Sequence, residues 1–327
     1  MKRRAAVVER SVSPIAGVVA RGLLAGHKSL PPFLFYDEEG SRLFEKITEL
    51  PEYYPTRVER SILVEFADEI VAAATAGTAF PLHVVELGAG TATKSEIVLR
   101  AVVRRQGHCV FAPVDVSESA IAEATARLAV SLPDVSVRPL VMHHTEAFPH
   151  IRAIGPRRLV LFIGSSIGNF EDGEATELLA GVRASLAPGG ALLLGADLRK
   201  DPAILVPAYD DAQGVTAAFN KNVLARVNRE LGGEFDLDRF AHVALWNEKQ
   251  SRIEMHLESL CDQQVRIDAL GVSIRFRQGE RIHTESSIKY DERHVDALLG
   301  AAGFVREKTF TDPERLFAVH LARVPAR

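Results

Sequence analysis

The sequence predicts an α/β fold: a doubly wound, mostly parallel sheet, with a second α+β domain beside it. Three observations carry this expectation. Apolar runs without polar alternation recur at 83–87, 109–114, 159–163 and 191–195. Helical stretches separate them, at about 94–104, 118–132 and 174–186. Loops bearing glycine or aspartate follow the runs on their carboxyl side. Strands without alternation are buried on both faces, and strands interleaved with helices make parallel sheets. Composition agrees. The 327 residues are 47% hydrophobic and 25% charged, with a formal net charge of −4. That balance excludes collagenous, disordered and disulfide-built chains, and the length suits about two domains of roughly 150 residues. It also argues against broad nucleic-acid binding, which needs a concentrated basic surface. No apolar stretch approaches the roughly 18 residues of a membrane span. Cys109 and Cys261 form no metal or redox spacing, so no metal and a reducing, cytoplasmic setting are expected.

The elements follow in order. Met1-Lys2-Arg3-Arg4 is basic, but Glu9, Arg10 and Ser11 interrupt the apolar run that a signal peptide would need. Residues 1 to about 25 are expected to be a partly mobile arm or surface helix. Ser41 is predicted to cap a helix over 42–50, which Pro51 stops. Pro55 opens a second helix with Val58, Ile62, Leu63 and Phe66 on one face. The strand at 83–87 runs into Gly88-Ala89-Gly90, and the strand at 109–114 ends at Asp115. The run at 159–163 leads into Gly164-Ser165-Ser166-Ile167-Gly168-Asn169. The helix at 174–186 stops at Pro188-Gly189-Gly190, and the next strand runs to Gly195. In such sheets ligands bind at the carboxyl ends of strands, which gathers Gly88, Asp115, Gly164 and Asp197 around one crevice. Beyond Asp197 the chain reads as helix over 204–231 and strands over 241–278, broken at Gly271. An extended stretch at 286–290, a helix at 293–302 and a strand at 316–321 complete it. The expected division is a sheet domain of 61–198 with 288–327, and a second domain of 1–60 with 199–287.

Glu86-Leu87-Gly88-Ala89-Gly90-Thr91 follows a strand and opens a helix. Glycines let backbone approach a ligand closely, and a helix N-terminus favours negative charge. A dinucleotide fingerprint would want a third glycine near residue 93, where Thr93 stands; this disfavours a nicotinamide dehydrogenase. Asp115 can accept both hydroxyls of a ribose; its alternative reading is a helix cap. The segment Leu186-Ala187-Pro188-Gly189-Gly190-Ala191-Leu192-Leu193-Leu194 resembles the helix–PGG–strand segment of class I S-adenosylmethionine-dependent methyltransferases. That Rossmann-like fold agrees with the α/β reading. Its cofactor has no phosphates and needs no multi-glycine phosphate cradle.

Further landmarks narrow the family. Phe35-Tyr36-Asp37-Glu38-Glu39-Gly40-Ser41 is followed by Leu50-Pro51-Glu52-Tyr53-Tyr54-Pro55-Thr56-Arg57. Gly164 to Phe170, Tyr209-Asp210-Asp211 and Phe219-Asn220-Lys221-Asn222 come next. Arg252-Ile253-Glu254-Met255 and Thr284-Glu285-Ser286-Ser287 complete the set. From about Leu30 to Ala322 the chain closely resembles the histidine-specific Nα-methyltransferases of ergothioneine biosynthesis. The resemblance implies trimethylation of the α-amine of L-histidine to hercynine, with S-adenosylmethionine as cofactor. L-Histidine and its mono- and dimethylated forms would be the small-molecule partners, and a monomer is expected. The alternative is an N-methyltransferase for another amino acid, such as a tryptophan derivative; Tyr53, Glu285 and Ser287 together favour histidine.

Carried over by position, the resemblance puts Tyr53 in the substrate pocket, with Asn169 and Tyr209 on the amino-acid backbone end. Glu285 and Ser287 hydrogen-bond the imidazole and Met255 packs near the ring. Tyr36 and Gly164 approach the amine, and Tyr36 and Asn169 are the catalytic candidates. Gly88, Lys94 and Asp115 match positions that hold the cofactor, and the glycine turn adds Gly90 to them. The family usually sets an acidic residue beside an aromatic one against the adenine. Here that stretch is Met142-His143-His144-Thr145-Glu146. Either His143 or His144 takes over the contact, or both are ordinary strand-end polar residues. The amine must lose its proton before it attacks. No histidine–carboxylate pair identifies itself as the base, so Tyr36 and water stand as alternatives. Neutral imidazole offers one donor and one acceptor, which a carboxylate and a serine hydroxyl can serve.

Overall fold

The continuous apolar runs form the middle of an eight-stranded sheet in a computed structural model, which describes residues 13–77 and 80–325. Its order is Val305–Thr311, Phe317–Arg323, Ala191–Asp197, Arg157–Phe162, Leu82–Leu87, Cys109–Asp115 and Val135–Val137. Leu140–Val141 pairs beside the carboxyl end of Cys109–Asp115. The strands from Ala191–Asp197 to Val135–Val137 pair in parallel. Phe317–Arg323 runs antiparallel to both of its neighbours. This is the doubly wound, mostly parallel sheet that the sequence predicts.

Each face of the sheet carries its own core. Val84, Phe111, Leu159, Leu161 and Leu193 pack with Ile62, Leu63 and Ile70 of the helix Tyr54–Thr75. Helices Ser95–Gln106 and Glu118–Ser131 cover the same face. Val85, Ala112, Val160, Leu192 and Leu194 face the other way, against helices His144–Arg152, Asp172–Ser185 and Glu292–Ala301. Alternate residues along a strand point to opposite faces, and each fully buried leucine or isoleucine adds about 1.5–3 kcal/mol. These strands therefore need apolar residues at every position.

Two compact units emerge. The larger holds Thr48–Tyr209, Trp246–Ile253 and Ser286–Arg327, and the smaller Met1–Ile47, Asp210–Leu245 and Glu254–Glu285. The expected cuts at 60 and 198 fall elsewhere here. Tyr54–Thr75 is one continuous helix, so a boundary at 60 would divide it. In the smaller unit the strand order is Lys28–Ser29, Arg281–Ile288, Arg252–Ser259 and Phe240–Asn247, and the last three strands have ends that belong to the larger unit. Gln263–Ile267 and Val272–Phe276 form a hairpin around Gly271, whose φ of +62° needs glycine.

Several local expectations change. Ser41 caps nothing: the helix is Glu38–Glu49, and the Asp37 carboxylate accepts from the Gly40 N–H at 2.7 Å. Aspartate at that position satisfies an otherwise orphaned helix donor. The stretch 204–231 is not one helix. Pro202–Leu205 and a short 3₁₀ turn precede the helix Val215–Leu231, whose first N–H groups donate to Asp211 at 2.7 and 3.0 Å. The terminal arm is in part a packed helix, Ala16–Leu24, with Ala16, Val19 and Leu23 buried. The basic Met1-Lys2-Arg3-Arg4 lies outside the described residues. Among those described, no helix is long and apolar enough to cross a membrane.

Candidate active site

The cradle forms where Leu82–Leu87 ends. Gly88 and Gly90 take φ values of +69° and +49°, and a Cβ at either would meet nothing within 4 Å. The N–H groups of Gly88 and Ala89 donate to Val114 O at 2.9 and 3.0 Å, which ties the turn to the neighbouring strand. The Gly90 N–H donates to Asp115 Oδ2 at 2.8 Å, and the Ser117 N–H to Asp115 Oδ1 at 2.9 Å. The helix cap is Ser117, whose side chain accepts from Ala120 N–H. Asp115 is thus the post that fixes both rims of the cradle. We expect Asp115→Ala to weaken S-adenosylhomocysteine binding by about 10- to 100-fold, roughly 1.4–2.7 kcal/mol. Calorimetry that finds the affinity intact removes Asp115 from the site.

His143 and His144 lie at the same sheet end. Asp115 pairs with Val141, and Met142 N–H donates to Asp115 O at 3.0 Å. His143 precedes the helix His144–Arg152, with its Nδ1 2.9 Å from Thr145 Oγ1. The two imidazoles lie 3.9 Å apart by centroid, and His144 meets the Phe170 ring edge-on at 5.8 Å. Burial, with His143 beside it, pushes the His144 imidazolium down to about 4, so the ring is neutral near pH 7 and can lie against a flat aromatic group.

Beside the cradle stands a carboxylate that sequence reasoning passed over. Glu59 lies on the apolar face of its helix, three and four residues before Ile62 and Leu63, and is fully buried. A charge on that face was the available signal. Its oxygens accept from the Gly164 N–H at 2.8 and 2.9 Å, and it pairs with Lys94. At Gly195 a Cβ would lie 2.1 Å from Glu59 Oε1, so only glycine fits there. Glu86 is also buried, and its Oε2 has no hydrogen-bond partner among the described residues. Burial raises the Glu86 carboxyl to about 8; the nearby Ser95 hydroxyl and Lys94 work against the rise, while Glu59 and Asp115 add to it. With Glu86 holding its proton near pH 7, the carboxylates of Glu59 and Asp115 against Lys94 suit a compact cation without phosphates. The cradle therefore fits S-adenosylmethionine.

Glu86 also gives a pH prediction. Its carboxyl ordinarily titrates near 4.5 and in the fold near 8. The folded chain holds the extra proton between those values, so the stability this provides is complete below the lower one and is lost as pH rises through the upper. Without cofactor, wild-type melting temperature should fall relative to Glu86→Gln from about pH 5 to about pH 8.5. Parallel curves for the two proteins would overturn this.

The larger unit brings three of the expected substrate residues together. Tyr53 is 9% exposed and meets the Tyr209 ring edge-on at 6.4 Å. Tyr209 Oη lies 2.8 Å from Ser287 Oγ. Asn169 ends the 3₁₀ turn Ser166–Asn169 and is half-buried. Ser165, which precedes the turn, has a φ of +56°, and its Oγ accepts from Asp197 N–H at 2.9 Å. A non-glycine residue in that region is strained and is tolerated where surroundings fix it.

Behind Tyr209 and Ser287 runs a buried charged network. Lys289 Nζ donates to Tyr209 Oη at 2.7 Å and Ser287 Oγ at 2.9 Å, and pairs with Asp197 Oδ2 at 2.8 Å. Lys200 Nζ reaches Asp197 Oδ1 at 2.5 Å and Tyr54 Oη at 2.7 Å. Tyr54 Oη in turn donates to Asp197 at 2.8 Å. Burial opposes ionisation of Asp197, but Lys289 and Lys200 outweigh it and hold the carboxyl below its usual range. Burial pulls the Lys200 ammonium down to about 8. Topology alone pointed to Asp197. Lys289 and Lys200 escaped because a lone lysine beside a strand reads as a solvated residue.

Tyr36, Met255 and Glu285 belong to the smaller unit. Tyr36 follows the 3₁₀ turn Pro32–Phe35, stands edge-on to Phe44 and Phe219 at 5.8 Å each, and keeps 36% of its surface exposed. Met255 and Glu285 sit on neighbouring strands and are 2% and 8% exposed. Thr284 Oγ1 donates to Met255 O at 3.0 Å and ties those strands.

Comparison with known proteins agrees along most of the chain. Residues 15–324 match the family described as histidine-specific, S-adenosylmethionine-dependent methyltransferases. The chain is 46% identical to the histidine N-alpha-methyltransferase of Mycolicibacterium smegmatis, over 93% of each protein. It is 43% identical to that of Mycobacterium tuberculosis, again over 93% of each. Ergothioneine biosynthesis protein 1 of Neurospora crassa is 30% identical over 88% of this chain and 32% of its own length.

Proposed function

Since the chain belongs to the family of histidine-specific, S-adenosylmethionine-dependent methyltransferases, we propose that it trimethylates the α-amine of L-histidine. The product is hercynine, and the step is the first of ergothioneine biosynthesis. The observation that carries this reading is the grouping of Tyr53, Tyr209 and Ser287, at positions where the resemblance puts amino-acid contacts. A monomer acting in the cytoplasm on free amino acid completes it.

S-adenosylmethionine supplies, when bound, a methyl group made electrophilic by its sulfonium. Gly88 and Gly90 would offer it close backbone, Asp115 would accept from ribose hydroxyls, and Lys94, His143 and His144 would complete its surroundings. In the larger unit, Asn169 and Tyr209 hold the substrate carboxylate, Tyr53 walls its pocket, Gly164 lies by the amine, and Ser287 serves the imidazole. In the smaller unit, Glu285 takes an imidazole N–H, Met255 lines the ring, and Tyr36 orients the amine or accepts its proton. The amine sheds a proton before each of three transfers. Positioning of this kind can lower a barrier by roughly 7–11 kcal/mol, so the residues contribute mainly by holding the nitrogen in place.

The test is direct. The protein is incubated with histidine, tryptophan and S-adenosylmethionine, and methyl groups are counted by mass spectrometry. Histidine carrying three methyl groups, with tryptophan untouched, is the expected result. Methylation of tryptophan alone overturns the reading.

A further inference from the structure

Lys289 holds none of the roles assigned so far, yet its ammonium is fully buried and directs hydrogen bonds to two residues that hold one. It donates to Tyr209 Oη at 2.7 Å and Ser287 Oγ at 2.9 Å, and meets Asp197 Oδ2 at 2.8 Å. An ammonium has three donors, and all three are used here. Burial of a charge is costly unless it is paired, and one aspartate would satisfy one lysine. Asp197, though, is already engaged by Lys200 at 2.5 Å and by Tyr54 Oη at 2.8 Å. Two ammonium groups share that carboxylate, and Asp312 also acts on Lys200. Of the two lysines, Lys289 is the one that touches Tyr209 and Ser287.

We propose that Lys289 is a positioning residue for the substrate's carboxylate. By donating to both hydroxyl oxygens, which lie 2.8 Å apart, it leaves one O–H shared between them and a single O–H free to point at a ligand. Hydrogen bonds in a chain polarise one another, so a hydroxyl that accepts from an ammonium is itself a stronger donor. The ammonium charge of Lys289, held 2.7 Å from Tyr209 Oη, favours an anion there over a neutral group. The selected ligand class is an α-amino acid with a free carboxylate, as against its amide or the corresponding amine. Lys289 can act this way only if Tyr209 and Ser287 bind substrate, as proposed above.

The test uses Lys289→Met, which keeps the length and removes the charge. With S-adenosylhomocysteine present, calorimetry compares L-histidine with L-histidinamide, and kinetics give KM and kcat for histidine. Lys289→Met should raise the histidine KM about 30-fold with kcat within about threefold. It should also reduce the preference for histidine over histidinamide at least about tenfold. In a Tyr209→Phe background it should add less than about threefold, because the effect passes through that hydroxyl. An unchanged KM and preference in protein that still binds S-adenosylhomocysteine overturn the inference, as do fully multiplicative effects in the double variant. Tyr209→Phe alone separates the two levels. If it leaves KM unchanged, the substrate assignment falls and Lys289 with it; if it raises KM and Lys289→Met does not, only Lys289 falls. Should Lys289→Met not bind S-adenosylhomocysteine, Lys289→Gln, which keeps a donor without the charge and leaves the Asp197–Lys200 pair in place, is read in the same way.

Discussion

Glu285→Ala is expected to lower kcat/KM on L-histidine at least about 100-fold and to shrink the preference for histidine over tryptophan. Glu285 is 8% exposed on the strand Arg281–Ile288. A carboxylate there offers acceptors to an imidazole N–H, and hydrogen bonds to a charged group contribute about 1.5–3 kcal/mol. Selectivity changes as well as rate, since a pocket built to hydrogen-bond its ligand rejects an analogue that leaves its polar group unpaired. Glu285→Gln keeps an acceptor and should lose less. Steady-state kinetics that show Glu285→Ala with an unaltered histidine preference would refute the assignment.

The largest effect on stability is expected from Asp197→Ala. Asp197 is fully buried and meets Lys289, Lys200 and the Tyr54 hydroxyl. Its removal strands two ammonium groups in the interior. Loss of one partner of a buried pair costs about 3–5 kcal/mol, which corresponds to a melting temperature lower by roughly 10 °C for a chain of this size. Asp197→Asn retains one acceptor and should fall less. Thermal unfolding followed by circular dichroism decides it: a drop below about 2 °C would mean that the network carries little of the fold.

The central strands were legible because burial on both faces leaves a plain signature, an apolar run with no alternation. Their helices were legible from spacing and from Pro55 and the Pro188-Gly189-Gly190 turn. Val305–Thr311 was missed for the opposite reason. It is an edge strand with Glu307 and Lys308 facing solvent, and charge is how such edges avoid pairing with other chains. The helix His144–Arg152 was hidden by its internal Pro149. In the site, glycines and Asp115 announce themselves through local spacing. Glu59, Lys200 and Lys289 do not, because their partners are distant in sequence: Glu59 meets Gly164, and Lys289 meets Tyr209. Such pairings exist only once the sheet has brought its strand ends together.

The antiparallel pairing of Phe317–Arg323 with Ala191–Asp197 places residue 317 opposite residue 197. For the sheet, nearly everything from Asp210 to Glu285 is one long excursion between two adjacent strands. The entropy of closing an excursion grows only with the logarithm of its length, about 0.6 kcal/mol per doubling. Lengthening, shortening or rebuilding that stretch therefore costs the sheet little. Met255 and Glu285 lie within that stretch, and Gly88, Gly90 and Asp115 lie outside it. On the proposed assignment, a change of amino-acid substrate asks for a new excursion and keeps the same cradle.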